Sequence, residues 1–217
     1  MIERKVVMSE ERVSKDVVKV SQALGFLLSL DDNHKMERVK LIKLLWVADR
    51  LHLRRYGRTV TETDYFAMVH GPVCSLALDI ARMDEDGIVL SDSDKMYLEE
   101  YFTADEKNTS MQKSVGDEYL SESDKEALKE AWEMFKDTET FELSDEISHR
   151  YPEWSKFSRY FEDNRGRKSI DLEDFFRNPE DDQYFKEDED RLSAAHEIYK
   201  DAKQVDKELD YIFGNEE

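Results

Sequence analysis

The segment from Met36 to Arg55 constrains the fold most. Val39, Leu41, Ile42, Leu44, Leu45, Trp46, Val47, Ala48 and Leu51 make it apolar over much of its circumference at helical spacing. A surface helix keeps a broad polar stripe, whereas a helix this apolar has to be enclosed by other elements. The expectation is a domain built around this helix, with its basic side chains gathered towards the exposed ends. Only 7 Gly and 3 Pro occur in 217 residues, too few turn breakers for a many-stranded sandwich or barrel. The predicted fold class is therefore mainly α, a compact helical domain with a small β-hairpin element and an added C-terminal helix.

Other elements can be placed around that centre. Val13, Val17, Val20, Leu24 and Leu27 form one helical stripe, and Ser9, followed by Glu10 and Glu11, suits its start. Gly57 is a natural left-handed end for the central helix. Thr61 and Asp64 read as a capping box for a short helix near residue 62, and Pro72 as the first turn of the next helix, with His70-Gly71-Pro72 as a tight corner between them. Residues 96–103 and 110–119 are expected to pair as a hairpin. Ser121 and Asp124 cap a helix carrying Leu128, Ala131, Trp132 and Phe135, and a short helix follows over about 143–150. Residues 1–163 are read as the helical domain, and 164–217 as a loosely docked acidic linker followed by an amphipathic helix. That last helix carries Leu192, Ala195, Tyr199, Ala202, Val205, Leu209 and Ile212 on one stripe, which must cover the domain or another chain.

Charge divides the chain. The net charge is -20, from 52 acidic against 32 basic side chains. Residues 1–100 account for only -3 of it, with 15 basic and 18 acidic groups. Met36 to Arg58 is locally basic, because Arg38, Lys40, Lys43, Arg50, Arg54, Arg55 and Arg58 face only Glu37 and Asp49. Leu, Ile, Val and Phe are 52 of 217 residues, or 24%, above the roughly 20% below which strongly charged chains stay disordered. The overall acidity argues against non-specific nucleic-acid binding. No signal-like or membrane-spanning run is present, and Cys74 is the single cysteine, so a soluble cytoplasmic protein is expected.

A search for chemistry returns little. His70 and Cys74 are separated by Gly71-Pro72, which breaks the continuous helical face a Cys-His pair would need. His34, His52, His70, His149 and His196 lack metal-ligand spacing, and the acidic clusters lack an EF-hand pattern. The common phosphate loops are absent, so no cofactor or metal is expected. The one ligand reading left open is that backbone N–H groups at His70-Gly71-Pro72 meet an anion, with Arg55 or Arg58 nearby. The residues point to a binding protein rather than an enzyme.

The run Val39-Lys40-Leu41-Ile42-Lys43-Leu44-Leu45-Trp46-Val47-Ala48-Asp49, then Tyr56-Gly57-Arg58, then His70-Gly71-Pro72-Val73, resembles the Panacea domain, or SocA-like antitoxin family. Its signatures are a KLLYFAD helix, a YGRPLT turn and an HGPV corner. Leu120 to Asp124, Leu143 to His149 and Pro152-Glu153-Trp154 resemble its later elements, so the likeness spans roughly residues 15–162. Trp46-Val47 replaces the usual Tyr-Phe, and Thr59-Val60 the usual Pro-Leu. The resemblance implies a mostly helical domain with a small β element and a non-enzymatic antitoxin that binds a cognate toxin encoded beside it. An adaptor that delivers its partner to a protease is the alternative, and a hydrolase or transferase using His70, His149 or an acidic pair is a third reading. The family motif carries no active site and no residue-level interface. On charge and exposure, the candidate partner-binding residues are Arg50, Arg54, Arg55, Arg58, Tyr199 and Leu209. A homo-oligomer is compatible with the apolar C-terminal stripe.

Overall fold

The computed structural model describes residues 12–83 and 90–213. Helix α1 (Lys15–Ser29) buries Val17, Val20, Leu24 and Leu27, the stripe predicted from their spacing. It begins at Lys15 after non-helical Ser14; the expected start at Ser9 lies outside the described residues. Strand β1 (Lys35–Glu37) leads into α2 (Arg38–Tyr56), in which every residue from Lys40 to Arg54 is buried. The all-round apolar pattern thus marks an enclosed central helix, as expected. The placement of its basic side chains at exposed ends is corrected: Lys40, Lys43, Arg50 and Arg54 are all inside.

The short helix near residue 62 does not form. Strands β2 (Tyr65–Met68) and β3 (Gly71–Cys74) make an antiparallel hairpin there, with Tyr65 opposite Cys74 and Met68 opposite Gly71. Thr61 is not a helix cap, because its backbone N–H and hydroxyl both donate to Asp49 of α2, at 2.9 and 2.6 Å. The Tyr65 hydroxyl donates to the same carboxylate at 2.7 Å, which ties the extended chain to the central helix. Gly71 takes φ 101°, a conformation open to glycine, as the chain leaves the Val69-His70 turn. Pro72 lies in an edge strand, where its missing N–H leaves no ladder bond unmade. Helix α3 (Ser75–Arg82) follows directly.

Residues 96–101 are also helical rather than extended. Ser91 and Asp94 form a capping box that starts α4 (Asp92–Tyr101), so the expected hairpin shrinks to β4 (Phe102–Ala104) and β5 (Asn108–Met111). Strand β1 pairs with the other side of β5, giving a three-stranded antiparallel sheet. Helix α5 (Glu122–Phe135) starts at the predicted Ser121–Asp124 box and buries Leu128, Ala131 and Phe135 against α2. A π-helical turn (Glu142–Ile147) and a 3-10 turn (Ser148–Arg150) occupy the region expected as a short helix, and α6 (Pro152–Ser155) and α7 (Ser158–Asp163) complete it.

Beyond Asn164 the chain is packed rather than loosely docked. Strand β6 (Lys168–Ser169) joins β2 to make a second three-stranded sheet, and Ile170, Phe175, Phe176 and Phe185 enter the same hydrophobic core as α2. Each buried aromatic removes a large apolar area from water, which fixes this acidic stretch despite its charge. The last element is α8 (Glu189–Phe213), whose first half lies on α2. The protein is mainly helical, with two small antiparallel sheets in place of one hairpin.

Candidate partner-binding surfaces

The basic side chains of α2 turn inward to bind elements that come later in the chain. Arg50 is 0% exposed, and its Nη1 donates to the buried Glu153 carboxylate at 2.6 Å. Its Nη2 donates to the Arg177 carbonyl and to Asn178 Oδ1, while the rings of Tyr151 and Phe185 lie 4.5 and 4.9 Å from the guanidinium carbon. The Trp46 indole N–H also donates to Glu153, at 3.1 Å. Burial nevertheless pushes the Glu153 carboxyl up, the Arg50 charge opposing it. Arg54 is 3% exposed and donates to the Phe175 carbonyl; burial lowers its pKa to about 10. Arg50 and Arg54 are therefore removed from the candidate partner surface, because their charges are spent holding α6 and the 172–178 segment on α2.

Arg55 and Arg58 lie nearer the surface but are engaged. Arg55 binds Glu130 of α5 through both terminal nitrogens and Glu187 through Nε. Those carboxylates hold its pKa above the usual value for arginine. Arg58 pairs with Asp124 at 2.9 Å and Glu62 at 3.2 Å. Both face α5, so neither joins the His70-Gly71-Pro72 turn, where the expected anion site needs them.

The two C-terminal candidates separate along α8. Tyr199 belongs to the docked half: its ring meets Phe176, and its hydroxyl reaches Asp171 at 3.4 Å. His196 stacks on Phe176 and reaches Glu173, and Ala195 is buried. Past Lys203 the helix leaves the domain. Val205, Leu209 and Ile212 remain 53%, 45% and 59% exposed, and the apolar Tyr211 and Phe213 are also exposed. The predicted stripe is therefore satisfied by the domain over its first half and bare over its second.

Cys74, His70 and His149 each have a partner in the fold. Cys74 is buried beside the Thr63 hydroxyl at 3.0 Å, and burial raises its thiol to about 12, far from a reactive thiolate. His70 sits on the hairpin turn with Asp145 at 3.2 Å. His149 stacks flat on Trp154, and burial lowers its pKa to about 4. Among the described residues no group of three His, Cys, Asp or Glu side chains is placed to hold a metal ion, and no helix is long and apolar enough to cross a membrane.

Residues 41–155, from α2 through α6, match the family model described as "Antitoxin SocA-like, Panacea domain". The chain belongs to this family. Neither curated proteins nor solved structures give a significant match. The Panacea match takes in the buried helix, the β2–β3 hairpin, α5 and the Pro152-Glu153-Trp154 turn that supplies the partner of Arg50. The family name supports an antitoxin role, implies a toxin partner and suggests a non-enzymatic protein. The matched region ends before α8, so the bare stripe lies outside the shared domain. Sequence reasoning found that stripe by its spacing but missed the inward turn of the α2 arginines. The signal lay in the helix itself: one that is enclosed all round leaves its charges no exposed face, so they have to be paired inside.

Proposed function

We propose that this protein neutralises a cognate toxin by direct binding, and that the distal half of α8 forms part of the contact. The observation that carries this reading is the bare stripe of Ala202, Val205, Leu209 and Ile212, on a helix already anchored to the Panacea domain by its first half. A helix that lays spaced apolar side chains into a groove is a recurrent recognition mode, and the anchored half lowers the ordering cost of the free half.

The spacing 202, 205, 209, 212 is that of coiled-coil seam positions, and the flanks are acidic. Asp201, Asp206 and Glu208 occupy the positions beside the seam. Two copies of this helix would set like charges against each other in either orientation, which disfavours self-pairing. A toxin surface with an apolar groove edged by Lys or Arg suits it. Charge then raises the association rate and selects the partner.

The test is co-expression of the toxin with Leu209→Asp/Ile212→Asp, or with the chain ended after Lys203. Both changes lie beyond the docked half, so near-UV circular dichroism and thermal midpoint should match the parent. Growth rescue and co-purification should be lost. Full rescue by the double variant would sink the reading. Removal of everything after residue 165 is not an equivalent test, because it strips Phe175, Phe176 and Phe185 from the core.

A further inference from the structure

A cleft of ≈ 430 Å³ opens between the start of α2, the β2–β3 turn, α3 and the β4–β5 turn. Among the described residues its lining includes Arg38, Lys43, His70, Arg82, Lys107 and Arg165, against Glu37 and Glu106 as acids. On a chain of net charge -20 this is a local reversal of sign. Arg82, Lys107 and Arg165 are exposed and make no ion pair among the described residues. Arg38 is fixed rather than neutralised: its Nε donates to the Ala81 carbonyl at 3.1 Å and its Nη2 to the Asp105 carbonyl at 2.6 Å. Lys43 is fully buried, and its ammonium donates to the Pro72 carbonyl at 2.7 Å, which occupies one of three possible donors. The Gly71 position is what admits it, since a Cβ there would stand 2.7 Å from Lys43 Nζ. Burial lowers the Lys43 pKa to about 7, so a nearby anion would restore its charge.

The rest of the lining is aliphatic, including Val39, Val69, Val73 and Leu78. No Phe, Tyr or Trp lines the cleft, so a nucleobase finds no stacking platform. The volume lies within the range of small ligand sites and admits a few side chains rather than a folded element. We infer that this cleft binds an acidic peptide segment of a partner protein, one aliphatic side chain entering among Val39, Val69 and Leu78 while flanking carboxylates meet Lys107, Arg165 and Arg38. This goes beyond toxin neutralisation by α8, because the two surfaces have opposite charge and take opposite ligands.

The experiment is fluorescence anisotropy on the full chain with a fluorescein-labelled octapeptide alternating aspartate with leucine. A peptide alternating lysine with leucine and a labelled single-stranded DNA 12-mer are run beside it. Saturable binding of the acidic peptide is expected in 25 mM salt, at least tenfold weaker in Lys107→Glu/Arg165→Glu and unchanged in Leu209→Asp. Both reversed side chains are exposed, and thermal midpoints check that the variant stays folded. Absence of saturable binding by the acidic peptide would overturn the inference. So would affinity equal to the lysine peptide's, or equal in the reversed variant. Tighter binding of the oligonucleotide, lost on the same reversal, would assign the cleft to nucleic acid instead.

Discussion

Replacing Glu153 by Leu tests whether the charge of Arg50 belongs to the interior. The substitution keeps side-chain volume close to constant, so the change is chiefly electrostatic. It leaves a guanidinium with no exposed surface, hydrogen-bonded only to the Arg177 carbonyl and Asn178, and it strips the Trp46 N–H of its acceptor. Breaking a buried ion pair from one side costs about 3 to 5 kcal/mol, because the remaining charge is desolvated without compensation. Replacing both partners, as Arg50→Met/Glu153→Leu, removes that term and leaves the orphaned indole N–H, worth about 1 to 3 kcal/mol, while the Arg177 carbonyl and Asn178 Oδ1 are only part-buried and can turn to water. The double variant should therefore be more stable than Glu153→Leu by about 2 kcal/mol. Urea unfolding followed by tryptophan fluorescence suits the measurement, since Trp46 and Trp154 are both buried. At an m-value of about 2 to 3 kcal/mol/M the single variant should lose roughly 1 to 2 M in midpoint. The double variant should also rescue growth as the parent does, since Arg50 offers no exposed surface to a partner. A loss below about 1 kcal/mol in the single variant, or failure of a folded double variant to neutralise, would refute the argument.

Two further outcomes test the packing. Lys43 has a folded-state pKa of about 7 against roughly 10.4 unfolded, so the unfolded chain binds the extra proton between those values. Stability should rise with pH through that window, by about 2 kcal/mol from pH 7 to pH 9, and Lys43→Met should abolish this gain in denaturant titrations at the two pH values. Gly57→Ala should cost about 1 to 3 kcal/mol and speed amide exchange across α8: φ is 75°, and the new Cβ would stand 2.7 Å from the Ala195 carbonyl oxygen. Gly116→Ala, at φ 83°, meets only the flexible Glu118 carboxylate and should leave α8 exchange unchanged.

The elements legible in the sequence were those whose partners are local. The capping box at Ser121 and Asp124 and the stripes of α1 and α8 depend on residues three and four apart, and each appears where its spacing put it. The misread segments depend on distant partners. Thr61 and Asp64 satisfy a capping pattern, but Thr61 is claimed by Asp49, twelve residues earlier, and the segment extends. The α2 arginines follow the same logic, since Glu153 is 103 residues from Arg50 and Glu187 is 132 from Arg55. The packing of the 164–188 stretch was hidden by its acidity, although Ile170, Phe175, Phe176 and Phe185 were there to be counted. Of the six candidate residues, Leu209, placed by periodicity, is the one the fold leaves on the bare stripe.

These long-range pairs change what the net charge of -20 means for a partner. The basic segment of α2 is interior wiring: Glu153, Glu130, Glu187 and Asp124 from the second half are consumed on Arg50, Arg55 and Arg58. A partner approaching from solvent meets little of that segment: Arg38 and Lys43 line the cleft, and the rest is buried or paired. It meets an acidic surface on which the cleft beside His70 is a basic exception and the distal α8 is an apolar stripe with acidic flanks. A polypeptide with a basic-edged groove is drawn to the helix, whereas an acidic segment is repelled by most of the surface and drawn to the cleft. If one toxin occupies both, its own charge must be divided in the opposite sense. Reversing Lys107 and Arg165 would then slow its association without altering the contact at Leu209, and the two sets of substitutions would add independently in binding free energy.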